Sequence, residues 1–206
     1  MRTQQSGFTL VEIAIVLVII GLLLGGVLKG QELITQAKIK NVANDFNGIT
    51  AAVYSYQDRF KALPGDDGGA TRWNTGTSHV EGDGNGTVAG DFNSTDNAVE
   101  SRKFWIHLRK AGFIAGDSNS GQQPPNAAGG LTGVQTTALG LGGLAVCMTN
   151  LPTKIAEAVD VQFDDGNPNT GTVRAMISAA VMPTVTPVGV AYTDDGSSIY
   201  TVCKQL

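Results

Sequence analysis

Glu12 is the single charged residue in the stretch Phe8–Leu28, which reads FTLVEIAIVLVIIGLLLGGVL. Sixteen of those 21 residues are apolar, and Ile13–Leu28 contains no charge at all. At 1.5 Å rise per residue the stretch spans about 31 Å as a helix, the thickness of a hydrocarbon core. A carboxylate at that depth costs at least about 2.5–3.5 kcal/mol, so it is a functional candidate whose chemistry is pairing with a cation. The plain alternative is that Glu12 snorkels to the interface of a simple anchor.

Three further groups of side chains could do chemistry. Cys147 and Cys203 are the only cysteines. Glu81-x-Asp83-x-Asn85-Gly86 has the alternating oxygen ligands of a calcium loop, with Asp91 as a further donor. Phe92, however, stands at the twelfth position, where a bidentate glutamate belongs. A tight Gly-Asp-Asn turn is the competing reading. Arg102, Lys103, His107, Arg109 and Lys110 surround Trp105, a basic and aromatic cluster suited to DNA phosphates. The same residues also read as the solvated face of an amphipathic helix.

Other chemistries fail on spacing. Gly140-x-Gly142-x-x-Ala145 lacks a βαβ frame, and Pro152 cuts the helix that a dinucleotide loop would need. His79 and His107 have no cysteine or histidine at zinc spacing, and no G-x-S-x-G elbow occurs. The chain therefore reads as a non-enzyme that requires no cofactor, calcium being the one ion its residues suggest.

The elements that must position these groups follow from composition and period. The 206 residues carry a net charge of −4, only 16% charged residues and 27 glycines. That excludes a disordered acidic tail and argues against a dedicated nucleic-acid binder. A mean hydropathy of +0.03 excludes a polytopic membrane protein. No proline interrupts Phe8–Leu63, and Ile39, Val42, Phe46, Ile49, Val53, Tyr56 and Phe60 recur at alternating spacings of 3 and 4. The pattern predicts one helix from about Thr9 to Phe60, roughly 78 Å long, ended by Pro64-Gly65-Asp66. Gly21-x-x-x-Gly25 and Gly26-x-x-x-Gly30 permit close helix approach, although glycine is common in membrane helices.

Residues 66–93 read as a loop. Asn97-Ala-Val-Glu100 resembles a capping box opening a helix to about Ala111, with Val99, Phe104, Trp105 and Leu108 in the core and Gly112 closing it. Ser118–Thr137 reads as a surface loop, and Pro152 opens a short helix over Thr153–Ala158. Two β-pairs are predicted: Val159–Phe163 with Gly171–Ala179, and Val185–Tyr192 with Ser198–Cys203 around Asp194-Asp195-Gly196. An antiparallel sheet packed on the long helix gives an α+β fold.

A short polar leader with Arg2, then Gly7-Phe8-Thr9-Leu10-Val11-Glu12 and a membrane-length apolar run, resembles the N-terminus of type IV pilins and type II secretion pseudopilins. The resemblance covers about the first 30 residues. It implies a leader of residues 1–7, a transmembrane helix of 8–28, its amphipathic continuation over 29–62 and an exported α+β domain of 63–206. Prepilin peptidase would cleave between Gly7 and Phe8 and N-methylate Phe8. Glu12 would then direct assembly by pairing with the new amine of Phe8, on its own chain or a neighbour. The resemblance implies a single-pass precursor in the bacterial inner membrane, with its N-terminus cytoplasmic and its C-terminal domain exported, destined for a pilus or pseudopilus. Its partners would be other subunits, the peptidase and an inner-membrane assembly platform. Export would place Cys147 and Cys203 in an oxidising compartment where pairing is expected, with two reduced core thiols as the alternative. Closing that loop would contribute about 4 kcal/mol by loop-closure entropy. Many major pilins have a proline just past the membrane run, where this chain has Lys29, a departure toward a pseudopilin or minor pilin. Major pseudopilins bind calcium in a C-terminal Gly/Asp loop, and Asp194-Asp195-Gly196 is a faint echo of it. The second functional class is a tip module recognising DNA or a surface.

Overall fold

A computed structural model describes residues 9–74, 79–177 and 191–206. The chain divides into two compact units, Met1–Ala37 and Lys38–Leu206. Helix α1, Leu10–Phe60, begins in the first and ends in the second. In the first unit its side chains are almost all solvent-facing, and its apolar window is long enough to cross a membrane.

Within the second unit the stripe works as its spacing dictates. Val42, Phe46, Ile49, Val53 and Tyr56 are buried, and the small residues Ala43 and Ala52 are buried beside them. The elements that follow are α2 (Glu100–Lys110), β1 (Thr132–Thr136), β2 (Leu144–Pro152), α3 (Thr153–Phe163), β3 (Val173–Ile177) and β4 (Ile199–Gln205). The strands form one antiparallel sheet in the order β1-β2-β4-β3.

Alternation along the strands divides the sheet into two faces. Val134, Val146, Met148, Val173, Ala175, Tyr200 and Val202 join the α1 stripe, Phe104 and Trp105 of α2 and Ile155 and Val159 of α3 in one core. On the opposite face Ala145, Cys147 and Cys203 are covered by Phe92, by Ala138 and Leu139 of a short 3-10 turn, and by Leu141 just after it. Phe46 meets Phe163 edge-on with centroids 5.9 Å apart, tying α1 to α3. Gly133 is required in β1 because a Cβ there would lie 2.0 Å from the Phe92 carbonyl oxygen.

The α+β architecture and the long helix agree with the sequence reading, while several details change. Val159–Phe163 is not a strand: α3 runs on through it. Residues 132–136, read as surface loop, form β1, and β2 was not foreseen. Segment 185–190, the proposed partner of the last strand, lies outside the described residues. Residues 191–194 are not strand, and β4 pairs with β2 and β3 instead. Asp195 still forms the expected turn, accepting from the Ser197 and Ser198 amides at 2.9 and 2.7 Å. Those bonds hold its carboxyl down at about 2.

Candidate functional site

The head of α1 is a reciprocal cap. The Thr9 amide and hydroxyl both donate to Glu12 Oε2, at 2.8 and 2.7 Å, while the Glu12 amide donates to Thr9 Oγ1 at 3.3 Å. A helix begins with amides that have no intrahelical acceptor, and Thr-x-x-Glu satisfies two of them. The same glutamate that sequence reasoning assigns to assembly therefore also starts the helix. The spacing Thr9-Leu10-Val11-Glu12 carried that signal, but the charge at membrane depth drew the attention. Gly7 and Phe8 lie outside the described residues. Downstream, an added Cβ at Gly21, Gly25, Gly26 or Gly30 would meet nothing within 4 Å. Nothing within the described chain crowds those four positions, so they remain open to close approach by another helix.

Cys147 and Cys203 are bonded, with S–S 2.06 Å and Cα–Cα 4.0 Å. They face one another in register on β2 and β4, and both are fully buried.

The basic cluster on α2 is committed to loops of its own chain. Arg102 donates to Asn97 Oδ1, at 3.2 Å from Nε and 2.9 Å from Nη2, and to Gln123 Oε1. Arg109 donates to the Ser120 and Gln122 carbonyls at 2.5 and 2.7 Å, and Lys110 to Asn119 Oδ1 at 2.9 Å. Lys103 Nζ reaches the Glu81 carbonyl at 2.7 Å. Desolvation lowers the guanidinium pKa values of Arg102 and Arg109. Trp105 is fully buried, so no aromatic face accompanies the charges at the surface. As an amphipathic helix would, α2 buries Phe104, Trp105 and Leu108, together with Glu100, Ser101, Ile106 and His107, while Arg102, Lys103, Arg109 and Lys110 are half-buried rather than fully solvated.

The Asn97–Glu100 cap does not form, since Glu100 is recruited elsewhere. Its Oε1 accepts from the Asp83 amide at 3.0 Å and its Oε2 from the Ala89 amide at 2.9 Å. Asp66 similarly accepts from the Asn85 and Gly86 amides at 2.9 and 2.8 Å. These carboxylates shape the 83–89 loop. Asp66, Asp83 and Glu100 are the acidic group the fold brings together there, and of the four proposed calcium ligands only Asp83 belongs to it. Asn85 instead bonds Asp83 and Thr87, while Glu81 faces His79 at 3.3 Å. The Asp91 carbonyl accepts the Ser101 hydroxyl at 2.8 Å.

Beneath that loop lies a network sequence reasoning did not single out. Tyr56 and Arg72 both donate to Asp67 Oδ2 at 2.6 Å, and Asp67 Oδ1 accepts from the Gly69 amide at 2.8 Å. Burial alone would raise the Asp67 pKa, but the bonds from Tyr56, Arg72 and Gly69 outweigh it and hold it low. His107, stacked on Tyr56, accepts from the Gly65 amide through Nδ1 at 2.8 Å, so its Nε2 donates to the Val80 carbonyl at 2.6 Å. Burial depresses its pKa to about 4, leaving a neutral ring that pins two loops to α2.

No catalytic arrangement stands out among these groups; the polar side chains described here bond backbone groups or other side chains of their own chain. Among known proteins, no curated sequence and no solved structure matches the chain. Residues 2–28 match the family described as the prokaryotic N-terminal methylation motif. That match runs from Arg2 through the Thr9–Glu12 cap and the apolar run of α1. The chain thus carries, at the head of a membrane-length helix, the signature of type IV pilins and pseudopilins.

Proposed function

We propose that this protein is a structural subunit of a type IV pilus or a type II secretion pseudopilus. The observation that carries the reading is the methylation motif at residues 2–28, whose apolar part continues into a 51-residue helix. Such a motif implies a membrane-anchored precursor that assembles with other pilin-like subunits, and a structural rather than an enzymatic role. In the proposed cycle, prepilin peptidase cleaves between Gly7 and Phe8 and methylates the new amine. The inner-membrane assembly platform then draws the subunit into a filament, with the second unit on the exported side. Apolar helices that faced lipid would then face one another, and the open glycines at 21, 25, 26 and 30 would let them approach closely.

Glu12 supplies the register. A carboxylate opposite apolar side chains at any other stagger costs a few kcal/mol, whereas opposite the Phe8 amine it is neutralised. Intramolecular bonding of Arg102, Lys103, Arg109 and Lys110 weighs against the alternative of a tip module that grips DNA through them. Glu12→Ala should leave a membrane-inserted, folded subunit that is absent from filaments. Incorporation of that variant at the wild-type level would refute the mechanism, and an unprocessed native N-terminus by mass spectrometry would refute the processing step.

A further inference from the structure

Two Asn-x-Thr triplets occur in this sequence, Asn85-Gly86-Thr87 and Asn93-Ser94-Thr95. Such a triplet marks an acceptor for N-linked sugar when it stands on the surface of an exported domain. Asn85, Gly86 and Thr87 are all exposed, whereas Asn93 is half-buried. The geometry around Asn85 is also distinctive. Its Oδ1 accepts both the Thr87 amide at 2.8 Å and the Thr87 hydroxyl at 2.6 Å. Its Nδ2 donates to Asp83 Oδ2 at 2.8 Å. An amide nitrogen is a poor nucleophile because its lone pair is delocalised into the carbonyl. Here a carboxylate already accepts one of its protons, while the hydroxyl two residues on fixes the amide plane. The loop is held from below by Asp66 and Glu100, which bond the Asn85, Gly86, Asp83 and Ala89 amides. Its outer surface is therefore presented without being needed for that anchoring.

We propose that Asn85 is an N-glycosylation site. Its Nδ2 attacks the anomeric carbon of a sugar carried on a lipid diphosphate, in the site of a membrane oligosaccharyl transferase. A nitrogen–carbon bond forms, and the bond from that carbon to the diphosphate oxygen breaks. The lipid diphosphate leaves with the electron pair, and the amide proton passes to a carboxylate of the transferase. The proposal rests on the export of the second unit argued above.

The test is mass spectrometry of the full-length subunit isolated from its own cells, intact and as the tryptic peptide Trp73–Arg102, which contains both triplets. A glycan mass on Asn85, abolished by Asn85→Gln and by Thr87→Val and retained in Asn93→Gln, is the expected result. An unmodified peptide, or sugar on Asn93 alone, overturns the proposal. The redox state of Cys147 and Cys203 in the same sample separates the two readings: a disulfide without sugar leaves export standing, and free thiols without sugar remove both.

Discussion

His107 contributes to the acid sensitivity of the domain. Its folded pKa of about 4 lies below the ordinary histidine value, so between roughly pH 6.5 and 4 the unfolded chain binds a proton that the folded chain refuses. Its contribution to stability is therefore fully present above pH 6.5 and is lost as the pH drops through that window, by about 3 kcal/mol in all. Burial raises the Asp160 pKa and works in the opposite sense, so the contribution is best read as a difference. Urea titrations of wild type and His107→Gln at pH 7 and 4.5 should show a steep loss in the former and a much smaller one in the latter. The Gln variant is expected to be weaker at neutral pH, since it cannot reproduce both ring bonds. Of the site residues, Glu12 drew attention because a lone carboxylate before an apolar run is a rare pattern, whereas Gly7 and Phe8 came from the family resemblance and lie outside the described residues. His107 was read only as a member of the basic cluster and a failed zinc ligand, because its partners, the Gly65 amide and the Val80 carbonyl, are backbone groups 42 and 27 residues away. No side-chain spacing encodes such a pair.

Helix α1 was readable almost to the residue because spacings of 3 and 4 admit no other period, and tertiary packing only ratified them. Segment 159–163 was misread for the converse reason. Val159, Val161 and Phe163 alternate as a strand would, yet in α3 the Val161 side chain is 62% exposed while Asp160 is buried against Tyr192, with Oδ2 2.6 Å from the hydroxyl. Five residues are too few for period alone to choose, and context chose. Strand β1, Thr-Gly-Val-Gln-Thr, looks polar, and its burial comes from neighbours such as Phe92 that sequence could not place. The C-terminal end of α1 carries a defect that can be repaired. Lys61, whose amide donates to the Gln57 carbonyl at 2.8 Å, takes a left-handed conformation, φ 54°, as the chain leaves the helix. Glycine adopts that conformation without Cβ strain, and the exposed Lys61–Asp58 pair adds little. Lys61→Gly should stabilise the protein by roughly 0.5–1 kcal/mol, seen as a higher Tm.

For the molecule as a whole, the disulfide joins residues 56 apart in sequence but directly opposed in the sheet. The loop it closes contains all of α3 and β3. Replacing both cysteines by serine should lower stability by about 4 kcal/mol through the freed unfolded chain, with a further cost for the buried hydroxyls. Thermal unfolding of the double variant against the oxidised wild type measures it, and an unchanged Tm would contradict the argument. The order β1-β2-β4-β3 has one more consequence, a matter of timing. Strand β4 is synthesised after both of its neighbours, so β2 and β3 each wait with an open edge until Ile199–Gln205 arrives. A chain emerging in N-to-C order can build its membrane helix early, but it cannot close its sheet. Throughout that interval the unfilled slot is the place where a neighbouring copy could insert a strand by mistake. The gap in the middle of the sheet therefore stays open until Ile199–Gln205 has docked.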